Sequence, residues 1–172
     1  MYEIRLATDE DVPALPAIES AAAALFLQYA ETANLPDDPT APAEFYAAQQ
    51  DGRLWVAALP NGVPIGFALV EMLADAVHLE EVDVHPQYGR QGVGTALVQA
   101  VCAWARAHGI AAVTLTTFRR IPWNEPFYRK LGFRELKPAE LSANFIRLIE
   151  EEESRGLSRA LRTAMLYETG IY

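Results

Sequence analysis

Apolar and polar residues alternate from Tyr2 to Ala7, the pattern of a half-buried strand, and Thr8 then stands where it can cap a helix whose first turn carries Asp9, Glu10 and Asp11. That helix is predicted to run through the alanines Ala21 to Ala24 and to end near Tyr29 and Ala30, where Asn34, Pro36, Pro39 and Pro42 break it into a lid-like loop or a helix pair. Arg53 to Leu59 and Val63 to Met72 are β-rich runs around Pro60-Asn61-Gly62, so they read as a hairpin. Val77 to Val84 is a further strand, stopped by His85-Pro86 and followed by a glycine-rich turn from Gly89 to Gly94. From Val93 the residues Ala96, Leu97, Ala100, Val101, Trp104 and Ala105 recur at helical spacing up to a stop at Gly109. Ile110 to Thr117 is almost continuously apolar or β-branched, as a central strand covered on both faces should be. Strand, turn, helix and strand make one βαβ unit, for which a right-handed crossover is expected.

The last third is less regular. A short helix is predicted within Pro122 to Leu131, closed by Gly132, then a strand from Phe133 to Leu136. Helical periodicity follows from Pro138 to Glu153, and a final strand from Arg162 to Tyr167. The whole is an α/β chain with a mixed sheet, in which an N-terminal strand, helix and hairpin precede the βαβ unit and a helix and strand close it. No internal repeat or low-complexity linker interrupts it, so residues 1–172 are expected to form a single domain.

Composition narrows the function. With 51% hydrophobic and 22% charged residues the chain has the makings of a packed globule, and its formal net charge of −9 argues against a nucleic-acid or anionic-membrane surface. The one cysteine, Cys102, has no partner for an internal disulfide, and no Cys or His cluster has metal-site spacing. No leader-like or bilayer-length apolar run is present, and a cytoplasmic protein is expected.

The turn carries the chemistry. In Val84-His85-Pro86-Gln87-Tyr88-Gly89-Arg90-Gln91-Gly92-Val93-Gly94-Thr95, three glycines lead a strand into a helix. Backbone N–H groups can therefore converge at a helix N-terminus, which is an anion site. The spacing is neither that of a dinucleotide turn nor that of a P-loop, which counts against a nucleotide-binding domain.

This stretch resembles the signature of the GNAT superfamily of acetyl-CoA-dependent N-acetyltransferases: Arg or Gln, two residues, Gly, one residue, then Gly or Ala. The resemblance runs from Ile4-Arg5-Leu6-Ala7-Thr8 and Asp11 through the hairpin and is strongest from Leu79 to Phe133. It implies acetyl-CoA as acetyl donor, its pantetheine arm on the backbone of Val82, Asp83 and Val84 and its pyrophosphate on Gly89, Arg90, Gln91, Gly92, Val93, Gly94 and Thr95. Gly89 stands where the family usually has Arg or Gln, so side-chain help is left to Arg90 or Gln91.

A second landmark, Trp123-Asn124-Glu125-Pro126-Phe127-Tyr128-Arg129-Lys130-Leu131-Gly132-Phe133, resembles the family's Asn-containing helix start, Tyr and Gly-Phe. By that resemblance Tyr128 is the candidate general acid for the departing thiolate, a role that suits a phenol still protonated at neutral pH. Asn124 is a candidate coenzyme contact, although it lies four residues before Tyr128 where many relatives have Asn seven before, a place held here by Ile121. An ammonium must lose a proton before it can attack, and Glu80 and Glu81 are the candidate bases, on opposite faces of the strand. Family position favours Glu80, with His78 on its face as a relay candidate. Cys102 lacks an activating neighbour, so direct transfer in a ternary complex is expected.

The acceptor is expected to be a small-molecule or peptide amine. Phe26, Tyr29, Glu31, Asp37, Asp38 and Glu44 are the aromatic and acidic residues offered to it by the segment after the first helix. A non-catalytic acetyl-CoA sensor is the alternative, and self-association through apolar helices is left open.

Overall fold

The computed structural model describes residues 1–30, 32–33 and 39–171. Its strands are β1 (Glu3–Leu6), β2 (Leu54–Ala58), β3 (Pro64–Met72), β4 (Val77–Val84), β5 (Ala112–Phe118), β6 (Arg134–Glu135) and β7 (Arg162–Glu168). Its helices are α1 (Leu15–Ala23), α2 (Pro42–Gln50), α3 (Val93–Ala107), α4 (Glu125–Lys130) and α5 (Ala143–Ser154). The strands form one mixed sheet in the order β1-β2-β3-β4-β5-β7-β6. The expected hairpin is β2 and β3, and the expected βαβ unit is β4, α3 and β5, with β4 parallel to β5 at Val77–Val113 and His78–Thr114.

The contacts divide the chain into two compact units. The first contains Met1–Gln28, Asp37–Glu71 and Leu79–Val101. Its core joins Val12, Leu15 and Ile18 to Phe45, Leu54, Val56, Phe67 and Leu69, with Phe45 and Phe67 edge to face at 5.2 Å. Pro42 opens α2 instead of breaking it, because the first helical residue needs no N–H donor. Thr8 does not cap a backbone N–H. Its own N–H and hydroxyl both donate to Asp11, which also pairs with Arg5 at 2.6 Å, and helical structure begins only at Val12. On β3, Gly66 lets two strands and a helix meet. A Cβ there would lie 2.8 Å from the Asp83 carbonyl oxygen and 3.2 Å from Val84 Cγ2, so any side chain would push β4 away, while Leu97 of α3 lies at contact distance, 3.4 Å.

The second unit contains Tyr29–Pro36, Met72–His78 and Cys102–Tyr172. Leu136, Phe145, Leu148 and Ile149 form its cluster, flanked by Leu141, Ala164 and Leu166. The helix predicted from Pro138 to Glu153 is two pieces. A 3-10 turn ends at Glu140, and Ser142, whose hydroxyl accepts the Phe145 N–H, starts α5 afresh. Asn34, Pro36, Glu31, Asp37 and Asp38 lie outside the described residues.

Candidate functional site

The glycine-rich turn ends in α3, where the described hydrogen bonds leave donors to spare. Ala96 N–H is the first of this helix to find a carbonyl, that of Gly92, at 2.9 Å. Among the described residues the N–H groups of Gly92, Val93, Gly94 and Thr95 have no protein acceptor, so they gather at the positive end of the helix dipole. Gly89 differs from expectation. Its N–H donates to the Pro86 carbonyl at 3.1 Å to close a 3-10 turn, so the donor set begins after it. The Gln91 side-chain amide turns back to the Gln87 carbonyl at 3.2 Å, whereas Arg90 is exposed. Arg90 holds φ at 59°, a left-handed conformation that costs a residue with a Cβ roughly 1–2 kcal/mol. Val93 is buried, so only its backbone faces a ligand. These features fit a diphosphate: clustered amides, no Cβ at Gly92 or Gly94, and one cation beside them.

The carboxylates of β4 separate by face. Glu80 is exposed, while Glu81 and Asp83 lie together on the other face and share a hydrogen bond. Two carboxyls can share one only if one of them keeps a proton. Burial, then the Asp83 charge, hold Glu81 well above the carboxylate range, and Asp83 is pushed to about 7, chiefly by burial. Glu19 of α1 completes the group. Its Oε1 accepts the Thr40 N–H at 2.8 Å, and the Thr40 hydroxyl reaches Glu81 Oε2 at 3.3 Å. The other oxygen of Glu19 is buried and, among the described residues, has no hydrogen-bond partner.

These shifts fix the sign of a pH effect. Asp83 holds its proton in the folded chain long after an unfolded carboxyl, near 3.8, has lost it. Folding is therefore progressively disfavoured as pH rises from about 4 through about 7. Asp83→Asn should raise the melting temperature at pH 8 and do so much less at pH 4. An equal gain at both values would show that charge is not the cause.

In the second unit, Tyr128 is half-buried between Phe127 and Phe133, with ring centroids at 5.0 and 5.6 Å. The Asn124 carbonyl accepts the N–H groups of Phe127 and Tyr128, so Asn124 starts α4 by its backbone, while its side chain caps nothing. Ile121 is buried. His78 is no relay. It is 2% exposed, its Nδ1 lies 3.1 Å from Thr114 Oγ1, and burial lowers its imidazole to about 3. Burial also pushes the Cys102 thiol up to about 12, which leaves no thiolate for acetylation.

A family model described as the acetyltransferase (GNAT) family matches residues 20–133. The chain belongs to that family. This GNAT chain is 40% identical over 57 residues to glucosamine 6-phosphate N-acetyltransferase of Trypanosoma brucei brucei, covering 33% of this chain and 37% of the relative. It is 35% identical over 108 residues to an aminoglycoside N(6′)-acetyltransferase type 1 of Stenotrophomonas maltophilia, covering 58% and 71%. The chain thus spans little more than a third of the trypanosomal relative. The fold matches a Mycobacterium tuberculosis protein solved with coenzyme A, with TM-score 0.70, 22% identity and coverage of 96% and 98%.

Two features of this GNAT chain escape a reading of the sequence. Glu19 is one, although a lone acid in the apolar run Ala17-Ile18-Glu19-Ser20-Ala21 was a usable signal. The other is Arg162, which donates to Glu152 at 3.2 Å and to Thr116, lies over the Phe118 ring, and is close enough to Tyr128 for the phenol to influence its charge. No local pattern distinguishes Arg162 from any other arginine opening a strand.

Proposed function

We propose that the chain, acting as one catalytic domain, transfers acetyl from acetyl-CoA to a primary amine by direct attack. The observation that carries this reading is the set of unclaimed amides from Gly92 to Thr95 at the start of α3. They would hold the pyrophosphate, with Arg90 adding charge, while the backbone of Val82, Asp83 and Val84 pairs with the pantetheine arm. The relatives' names, on amino sugars and aminoglycosides, support an amino group as acceptor.

Between the candidate bases, Glu81 with Asp83 is favoured over the solvent-facing Glu80. A carboxyl that changes charge near neutrality can take a proton from an ammonium and pass it on. Tyr128 would give the departing sulfur its proton. Asn124 has a side-chain amide to offer the coenzyme. The single cysteine, with its buried thiol, suits a reducing compartment, and we place the chain in the cytoplasm.

A thiol-release screen of an amine panel with acetyl-CoA tests the proposal. Release that saturates with one amine class is the expected result. Tight acetyl-CoA binding with no release for any amine would identify a sensor instead.

A further inference from the structure

We propose that Glu19 is the acceptor-recognition residue: its buried, unpartnered Oε2, held beside the Glu81–Asp83 pair through Thr40, takes the acceptor as a primary alkylammonium and so selects cationic amines over uncharged ones. This rests on the acetyl-transfer reading and adds to it the class of amine. Glu19 is 8% exposed, and a carboxylate oxygen so enclosed normally has a donor. Among the described residues no donor reaches it. Oε1 is already fastened to the Thr40 N–H, and Thr40 spends its hydroxyl on Glu81.

The neighbouring charges are all of one sign. Glu19 and Asp83 both act on Glu81, Glu80 adds to the same effect, and Glu19 acts on Asp83 as well. Three elements thus face the site: Glu19 from α1, Thr40 ahead of α2, and Glu81 and Asp83 from β4, with the charge of Glu80 acting from the other face of that strand. No Lys, Arg or His figures among the groups that move Glu81 or Asp83. A site of this kind is short of a cation with N–H donors. A primary alkylammonium supplies both, and its three donors can reach more than one carboxylate at once.

The proton count closes. The ammonium gives one proton to the remaining carboxylate of the singly protonated Glu81–Asp83 pair, and the freed nitrogen lone pair forms the C–N bond with the acetyl carbonyl carbon. The C–S bond breaks with its electron pair on sulfur, sulfur takes a proton, and nitrogen loses its second. The products are the acetamide, the free thiol and one proton returned to water. An uncharged amine skips the first transfer and has no use for Glu19.

The test compares n-propylamine, an ammonium at pH 7.5, with methoxyamine, uncharged at that pH and of similar size. Coenzyme A is first titrated calorimetrically into the wild-type protein and Glu19→Gln. Each amine is then titrated into the coenzyme-saturated protein, and KM is measured by thiol release. Glu19→Gln keeps an oxygen for the Thr40 N–H and removes only the charge. It should weaken propylammonium binding at least about tenfold, the loss of one charge-assisted hydrogen bond, and move methoxyamine less than about twofold. Equal weakening of both amines, or of neither, overturns the proposal while leaving acetyl transfer intact. Absence of coenzyme A binding in the wild-type protein instead overturns the acetyl-transfer reading. Should Glu19→Gln not fold, Glu19→Asp, which keeps the charge but withdraws it, must still penalise propylammonium more than methoxyamine.

Discussion

Gly92→Glu should abolish coenzyme binding: the Kd for acetyl-CoA is expected to rise at least about a hundredfold by calorimetry, with the melting temperature lowered only modestly. The new carboxylate would sit among the N–H groups of Gly92 to Thr95 and repel the diphosphate they are proposed to hold. Gly92 is exposed with φ at +83°, so a side chain there is strained but not buried. The strain is controlled by Gly92→Ala. An alanine Cβ would meet only the Tyr2 hydroxyl, at 3.6 Å, an ordinary contact. It should therefore cost about 1–2 kcal/mol in stability and far less affinity. If both variants bind acetyl-CoA as the wild type does, the pyrophosphate does not lie on this turn.

Tyr128→Phe should lower kcat by roughly 10² to 10⁴, the span general acid catalysis supplies, while acetyl-CoA affinity stays within about twofold. The substitution removes one oxygen and leaves the ring against Phe127 and Phe133. Single-turnover thiol release separates this from slower product departure. Undiminished chemistry in that experiment removes Tyr128 from the mechanism and leaves protonation of the sulfur to water.

Local order was legible in the sequence wherever one residue decides it. The end of β4 follows from His85-Pro86, the turn from its glycines, and the stop of α3 from Gly109. Strand alternation alone separated Glu80 from Glu81 and Asp83. What it could not yield is set by contacts distant in the chain. Glu19 and Thr40 are 21 residues apart, and Thr40 and Glu81 are 41. His78 illustrates the same limit, since burial and then the charge of Arg162, which lies 84 residues on, keep its imidazole neutral. The Thr8 cap failed for a nearer reason: Asp11 competes for the hydroxyl and is itself fixed by Arg5.

Cys102 has a practical consequence. The chain contains one cysteine, and its thiol is buried with ionisation deferred to about 12. Disulfide reagents that report liberated coenzyme A should therefore register almost no signal from the protein itself. A cysteine introduced at an exposed position such as Gln99 would become the sole site for a maleimide dye, with the native residue left in place.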